Sequence, residues 1–142
     1  MPSNLYPTGV RMNDGADVLA AMQVKAPTTI NVAGPATFSA GDISGGHDVT
    51  LISSNAAPGT LTTRTALQMY GDDPASYPGY GYNLRICNSG AGTMTVAAGA
   101  NFTLTGTMTI ATATYRDFRV IYAGTPGAPT VTMTNVGLGT YT

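Results

Sequence analysis

The chain has 142 residues, enough for one domain that buries ~70% of the surface its unfolded form would expose, with no need of a metal or disulfide to hold it. Charged residues make up 9% of it, Glu is absent, and 18 Gly and 9 Pro stand among abundant Thr, a composition that disfavours helices and suits strands joined by many turns. Net charge is -1 and the basic residues Arg11, Lys25, Arg64, Arg85, Arg116 and Arg119 are scattered, so no basic stripe exists to neutralise a phosphate backbone, which argues against direct nucleic-acid binding.

Residues 1–27 read as an N-terminal arm. MPSNLYPTGV carries two prolines and few apolar anchors, so it is expected to be extended, with Leu5 and Tyr6 as its contact residues. Within the arm, NDGADVLAAMQVKA places Val18, Leu19 and Met22 on one face of a short helix capped near Asp14 or Asp17. No basic region followed by a continuous apolar core occurs over residues 1–22, and the lone Cys87 has no internal disulfide partner. Both point to synthesis in a cytosol without a cleaved signal.

Residues 28–142 read as one β domain. Bulky side chains fall on alternate positions at Ile30 and Val32, Val49 and Leu51, Leu67 and Met69, Leu84 and Ile86, Met94 and Val96, Phe102 and Leu104, Met108 and Ile110, Phe118 to Tyr122, and Val131 and Met133. Period two predicts eight to ten short half-buried strands. The breaks AGPA, SAGDISGGHD, SSNAAPG, NSGAG, AAGAN, ATAT and AGTPGAP carry turn residues at spacings that suit an all-β, antiparallel β-sandwich or jelly roll. Gly106 either centres a hairpin that pairs Leu104 near Met108 or kinks one long strand. The expected core holds Leu84, Ile86, Met94, Val96, Phe102, Leu104, Met108, Ile110, Phe118 and Val120. Charge is absent between Arg85 and Arg116, but Gly, Thr and Asn interrupt every apolar run, so no membrane span is read there. Asn101-Phe102-Thr103 matches a glycosylation sequon, a chance match in a chain without a secretory signal.

Few residues offer chemistry. GDISGGH imitates the Gly-Asp-Ser-Gly-Gly run of trypsin-like proteases, but Ile43 separates Asp42 from Ser44, and the only histidine is His47; a polar turn is the expectation, with no catalytic residue. Asp72 and Asp73 supply two acidic oxygen donors where calcium wants several, and one His with one Cys cannot complete a zinc site, so no metal and no cofactor is expected. GDDPASYPGYGY is an aromatic loop too long for a hairpin turn. Its Tyr77, Tyr80 and Tyr82 fit a stacking platform for a sugar or base, a protein-interface anchor, or rings packed back onto the end of the domain. Tyr115, Arg116, Asp117 and Arg119 fit either a recognition patch or cross-strand pairs on a sheet. Cys87 is expected to face away from Leu84 and Ile86.

The stretch NLRICNSGAGTMTVAAGANFTLTGTMTIATATYRDFRV, about a quarter of the chain, resembles β-rich virion proteins of tailed bacteriophages, particularly the capsid decoration or cement class. It carries an Asn-Ser-Gly turn, a Gly-Thr-x-Thr strand, a Thr-Gly-Thr-x-Thr-Ile unit and Arg-x-Phe-x-Val in that order. The resemblance implies a non-enzymatic protein that binds the major capsid protein as a homo-oligomer, dimer or trimer, on the outer capsid surface of the virion. Leu5, Tyr6, Tyr77, Tyr80 and Tyr82 are then the expected partner-binding residues. The alternative is a tail, fibre or carbohydrate-binding module that uses the Tyr-rich loop.

Overall fold

The computed structural model describes residues 25–73, 76–125 and 127–141. Ten strands and one short helix follow in the order β1 (Thr28–Ile30), β2 (Ala36–Thr37), β3 (Asp48–Ser53), β4 (Gly59–Thr62), α1 (Ala66–Asp72), β5 (Gly81–Asn88), β6 (Met94–Ala97), β7 (Phe102–Thr105), β8 (Thr109–Ile110), β9 (Thr114–Thr125) and β10 (Ala128–Thr140). They form a six-stranded sheet, β1-β3-β5-β9-β10-β7, and a four-stranded sheet, β2-β4-β6-β8.

Both sheets are mixed. The chain lays β1 in the larger sheet, crosses to β2 in the smaller one, returns to β3 beside β1, crosses again to β4, and repeats the circuit with β5 and β6. Each same-sheet neighbour is reached after a full coil and runs in the same direction, so β1, β3 and β5 pair in parallel, as do β2, β4 and β6. Antiparallel pairing is confined to β5 with β9, β9 with β10, and β6 with β8, while β7 lies parallel on the outer side of β10. The expected all-β, antiparallel sandwich or jelly roll is therefore corrected: the fold is mostly strand, with mixed sheets and a helix. Alternating hydrophobicity specifies which face of a strand is buried but not the direction of its neighbour.

The coils stack tightly at their corners. A methyl group built on Gly34 would overlap the backbone of Thr60 in the next coil, and one on Gly90 would overlap the backbone of Asn55. Only glycine permits that approach. Between the sheets lies one core, assembled from rows that cross the strands: Val49, Leu84 and Phe118; Leu51 and Ile86; Tyr82, Val120 and Met133; and, on the facing sheet, Leu61 with Val96 and Met94 with Ile110. Of the ten expected core residues, eight are buried, and Leu104 and Met108 are partly buried against the same cluster.

Leu67 and Met69, expected on a strand, belong to α1. Thr65 caps it: its Oγ1 accepts from the Gln68 N–H at 3.2 Å, and the Gln68 side chain accepts from the Thr65 N–H at 3.0 Å. Four residues, Thr-Ala-Leu-Gln, thus satisfy two orphan donors reciprocally. Ala66 and Met69, three apart, are buried, and Leu67 is left exposed. Gly106 is neither a hairpin centre nor a kink in one strand, since β7 and β8 on its two sides lie in different sheets. β1 is the first strand among the described residues, and ahead of it the Lys25 N–H bonds the Asp48 carbonyl at 3.2 Å. Residues 1–24, with most of the expected short helix, lie outside the described residues.

Candidate functional site

The expected partner-binding residues do not form one surface. Leu5 and Tyr6 lie outside the described residues. Tyr77 is 58% exposed, but Tyr80 and Tyr82 fold into the core at 7% and 0%, which corrects their assignment as surface contacts. Tyr82 begins the inward alternation of β5, so its ring points between the sheets with Leu84 and Ile86. There the Tyr80 ring stacks on Tyr122 at 5.8 Å, and Tyr70 from α1 meets Tyr122 edge-on at 5.0 Å.

The phenol hydroxyls tie this cluster to distant loops. Tyr82 Oη donates to the Ile43 carbonyl at 2.5 Å, Tyr80 Oη to the Gly46 carbonyl at 3.2 Å, and Tyr122 Oη to Asp73 Oδ2 at 3.3 Å. Burial disfavours the phenolate, and the Asp73 carboxylate adds to the effect, so the Tyr80 pKa is pushed up to about 12 and that of Tyr82 well above its ordinary value. Burial also raises that of Tyr122. These rings act as neutral hydrogen-bond donors inside the scaffold. The pairing of Tyr122 with Asp73 is not legible in the sequence, because residues 49 apart carry no local spacing signal.

The protease-like turn is likewise tied down. Ser44 is 1% exposed, and among the described residues its Oγ has no hydrogen-bond partner. Asp42 Oδ2 accepts from the Ser39 N–H at 2.9 Å, His47 Nε2 lies 3.4 Å from Asp48 Oδ2, and the Lys25 ammonium donates to the carbonyls of Gly41 and Ser44. A sealed serine offers no route for a substrate. Asp72 and Asp73 take different partners: Asp72 accepts from Arg64 at 2.5 and 3.1 Å, and Asp73 is buried beneath Tyr122. No group of three or more metal-ligating side chains occurs among the described residues.

A groove of about 400 Å³ lies on the outer face of the larger sheet, lined in part by Asp48, Asn83, Arg85, Asp117 and Val136. Register places Asp48, Asn83 and Arg119 in one row across β3, β5 and β9, with Thr50, Arg85 and Asp117 in the next and Ile52, Cys87 and Tyr115 in the third. Arg85 grips Asp117 through two hydrogen bonds of 2.7 and 2.9 Å and lies 3.9 Å above the Tyr115 ring centre. The hydrogen bonds to Asp117 raise the Arg85 pKa. Asn83 donates to Asp48 and accepts from Arg119, both at 3.2 Å. Of the two readings of the Tyr115 to Arg119 stretch, the geometry is that of cross-strand pairs. Cys87 does face away from Leu84 and Ile86 and is buried, and burial raises its thiol pKa, which keeps it protonated.

No helix among the described residues is long and apolar enough to cross a membrane. No protein-family model, curated protein or solved structure matches this chain.

Proposed function

We propose that the chain is a non-enzymatic virion structural protein of a tailed bacteriophage, a decoration or cement protein that binds the major capsid protein as a homo-oligomer and stabilises the shell from outside. Synthesis would take place in the cytoplasm of the bacterial host. The observation that supports this best is how polar and apolar groups are used. Ser44, Asp73 and Cys87 are buried, and Asp42, Asp72 and Asp117 are each committed to a neighbour. Meanwhile Leu67, Tyr77, Val136 and Leu138 stand 58% exposed or more on a surface with few charges. Such a surface loses little hydration when another protein covers it. The resemblance of residues 83–120 to decoration proteins supplies the kind of partner.

The reading as a tail, fibre or carbohydrate-binding module rested on a platform of three tyrosines, of which Tyr77 alone is on the surface. Attachment is assigned to residues 2–10, with Leu5 and Tyr6, together with Tyr77. The test mixes undecorated shells with the full-length chain, a deletion of residues 2–10, and Tyr77→Ala, and measures occupancy and heat resistance of the shells. Full-length protein should bind and raise shell stability, and each variant should bind less; a full-length chain that never binds shells overturns the proposal.

A further inference from the structure

The strand β10 is longer than its cover. On one side β9 pairs along its length, from Ala128 opposite Thr125 to Thr140 opposite Thr114. On the other side β7 pairs only with Val131 to Thr134, and at Gly106 the chain leaves for the other sheet. Among the described residues no strand pairs with the outer edge of β10 over 136–140. Alternate backbone groups there point outward. Tyr141 donates its N–H to the Ala113 carbonyl, and strand alternation then turns the N–H and C=O of Leu138 and Thr140 away from β9, towards the open edge. Val136 and Leu138 beside them are 64% and 61% exposed.

Three of the other described edges, β1, β2 and β8, carry devices that discourage pairing, and β7, the fourth, is only four residues long. Pro27 precedes β1 and Pro35 precedes β2, both strands being of three residues or fewer, and at β8 the Thr109 carbonyl accepts from Arg116 Nε at 2.6 Å. The end of β10 has neither proline nor charge in NVGLGTYT. Edges left in that state are templates for another strand.

We propose that this edge pairs antiparallel with the same edge of a second copy, across a two-fold axis at Leu138. The sequence is its own complement in that register. Leu138 faces Leu138, exchanging two N–H···O bonds, Gly137 faces Gly139, Val136 faces Thr140, and no like charges meet. Tyr115 lies across Gly139 and Asp117 beside Gly137, which backs the strand from the outer face, and the bulge between Asn135 and Gly137 comes before Leu138, so the ladder to β9 is regular again from Gly137 to Thr140. The two larger sheets then continue into one. This rests on the self-association part of the proposed function and not on shell attachment, so a failure to bind shells leaves its test unaffected.

The test is the mass of the full chain by sedimentation over a wide concentration range, compared with Leu138→Pro and Leu138→Lys. Proline at 138 removes an outward N–H without touching the β9 ladder, and lysine places like charges on the axis. Both variants should fold with a near-normal melting temperature and raise the dimer dissociation constant at least about tenfold. Leu138→Cys should cross-link into a disulfide dimer on oxidation, because opposed Cα atoms in such a pair lie about 5.5 Å apart. Cys87 is buried and takes no part. A wild-type chain that stays monomeric, one that forms a trimer, or a dimer that neither Leu138→Pro nor Leu138→Lys weakens overturns the proposal.

Discussion

The stacked coils, β1 to β6, and the ribbon of β9 and β10 bury the same kinds of side chain but hold together differently. In the ribbon, strands of 12 and 13 residues are joined by a short turn, so each pairing follows from its neighbour in sequence. In the coils, strands of two to eight residues pair with partners a full circuit away, such as Thr28 with Leu51 and Leu51 with Ile86. Local hydrogen bonds organise the ribbon; the coils depend on corner packing and on the core. The stack should therefore be fragile at its corners in a way the ribbon is not.

The sharpest way to break that contrast is a pair of glycine substitutions. Gly90→Val drives a side chain into the Asn55 backbone, so the third coil must separate from the second. A loss of about 3 kcal/mol or more is expected in urea unfolding, and failure to fold is within that range. Gly127→Ala, in the turn of the ribbon with open space around it, should change stability by less than about 0.5 kcal/mol. Equal effects would mean that the corners do not hold the stack.

Next in size is the tyrosine cluster, where β5 of the coils meets β9 of the ribbon. Tyr122→Phe leaves the buried Asp73 carboxylate without that donor and should cost about 2 kcal/mol. The same cluster sets a pH limit. Unfolded tyrosine ionises near 10, whereas folded Tyr80 holds its proton to about 12, so above pH 10 the unfolded chain releases protons that the folded one retains. This contribution is fully present below pH 10 and is lost as pH rises through 12. Urea midpoints from pH 8 to 12, followed alongside phenolate absorbance, should fall in that window; midpoints that stay flat there would sink the account.

How much of this the sequence revealed depends on the range over which each feature is encoded. Phe118, Val120, Tyr122, Val131 and Met133 are all inward and buried, as their alternation requires. Strand direction was not legible, because Val49 and Leu51 alternate identically whether Leu84 and Ile86 run with them or against them. The antiparallel expectation failed there. The burial of Tyr82 was legible, since it shares parity with Leu84 and Ile86; only its place at the end of a Gly- and Pro-rich loop made it look like surface. The open end of β10 could not be read, because it depends on where β7 stops, some 30 residues earlier.

The capping box is written locally, but the alternation of Leu67 and Met69 imitates a strand over the same residues. Thr65→Ala removes the acceptor for the Gln68 N–H and should cost about 1 kcal/mol. Because α1 interrupts the circuit between β4 and β5, that loss belongs to the coils. Thr65→Ser, which keeps the hydroxyl, should recover most of it in the same thermal melts.

The smallest expected effect is at the seam itself. Arg85 of β5 and Asp117 of β9 form a two-pronged pair across the boundary between coils and ribbon, which makes it look like the clamp that joins them. Its side chains are 46% and 34% exposed, however, so water and salt screen the attraction, and ordering two side chains offsets part of the gain. Beneath the pair, Leu84 opposes Phe118 in the buried core and fixes the same register without any charge. Asp117→Asn, which keeps the shape and one acceptor, should therefore cost no more than about 0.5 kcal/mol, and the difference from wild type should shrink further in high salt. Leu84→Ala at the same seam should cost about 2 kcal/mol or more, independent of salt. If Asp117→Asn proved the more damaging of the two in paired urea titrations, the joint between the regions would be electrostatic, and the apolar rows beneath it would be secondary.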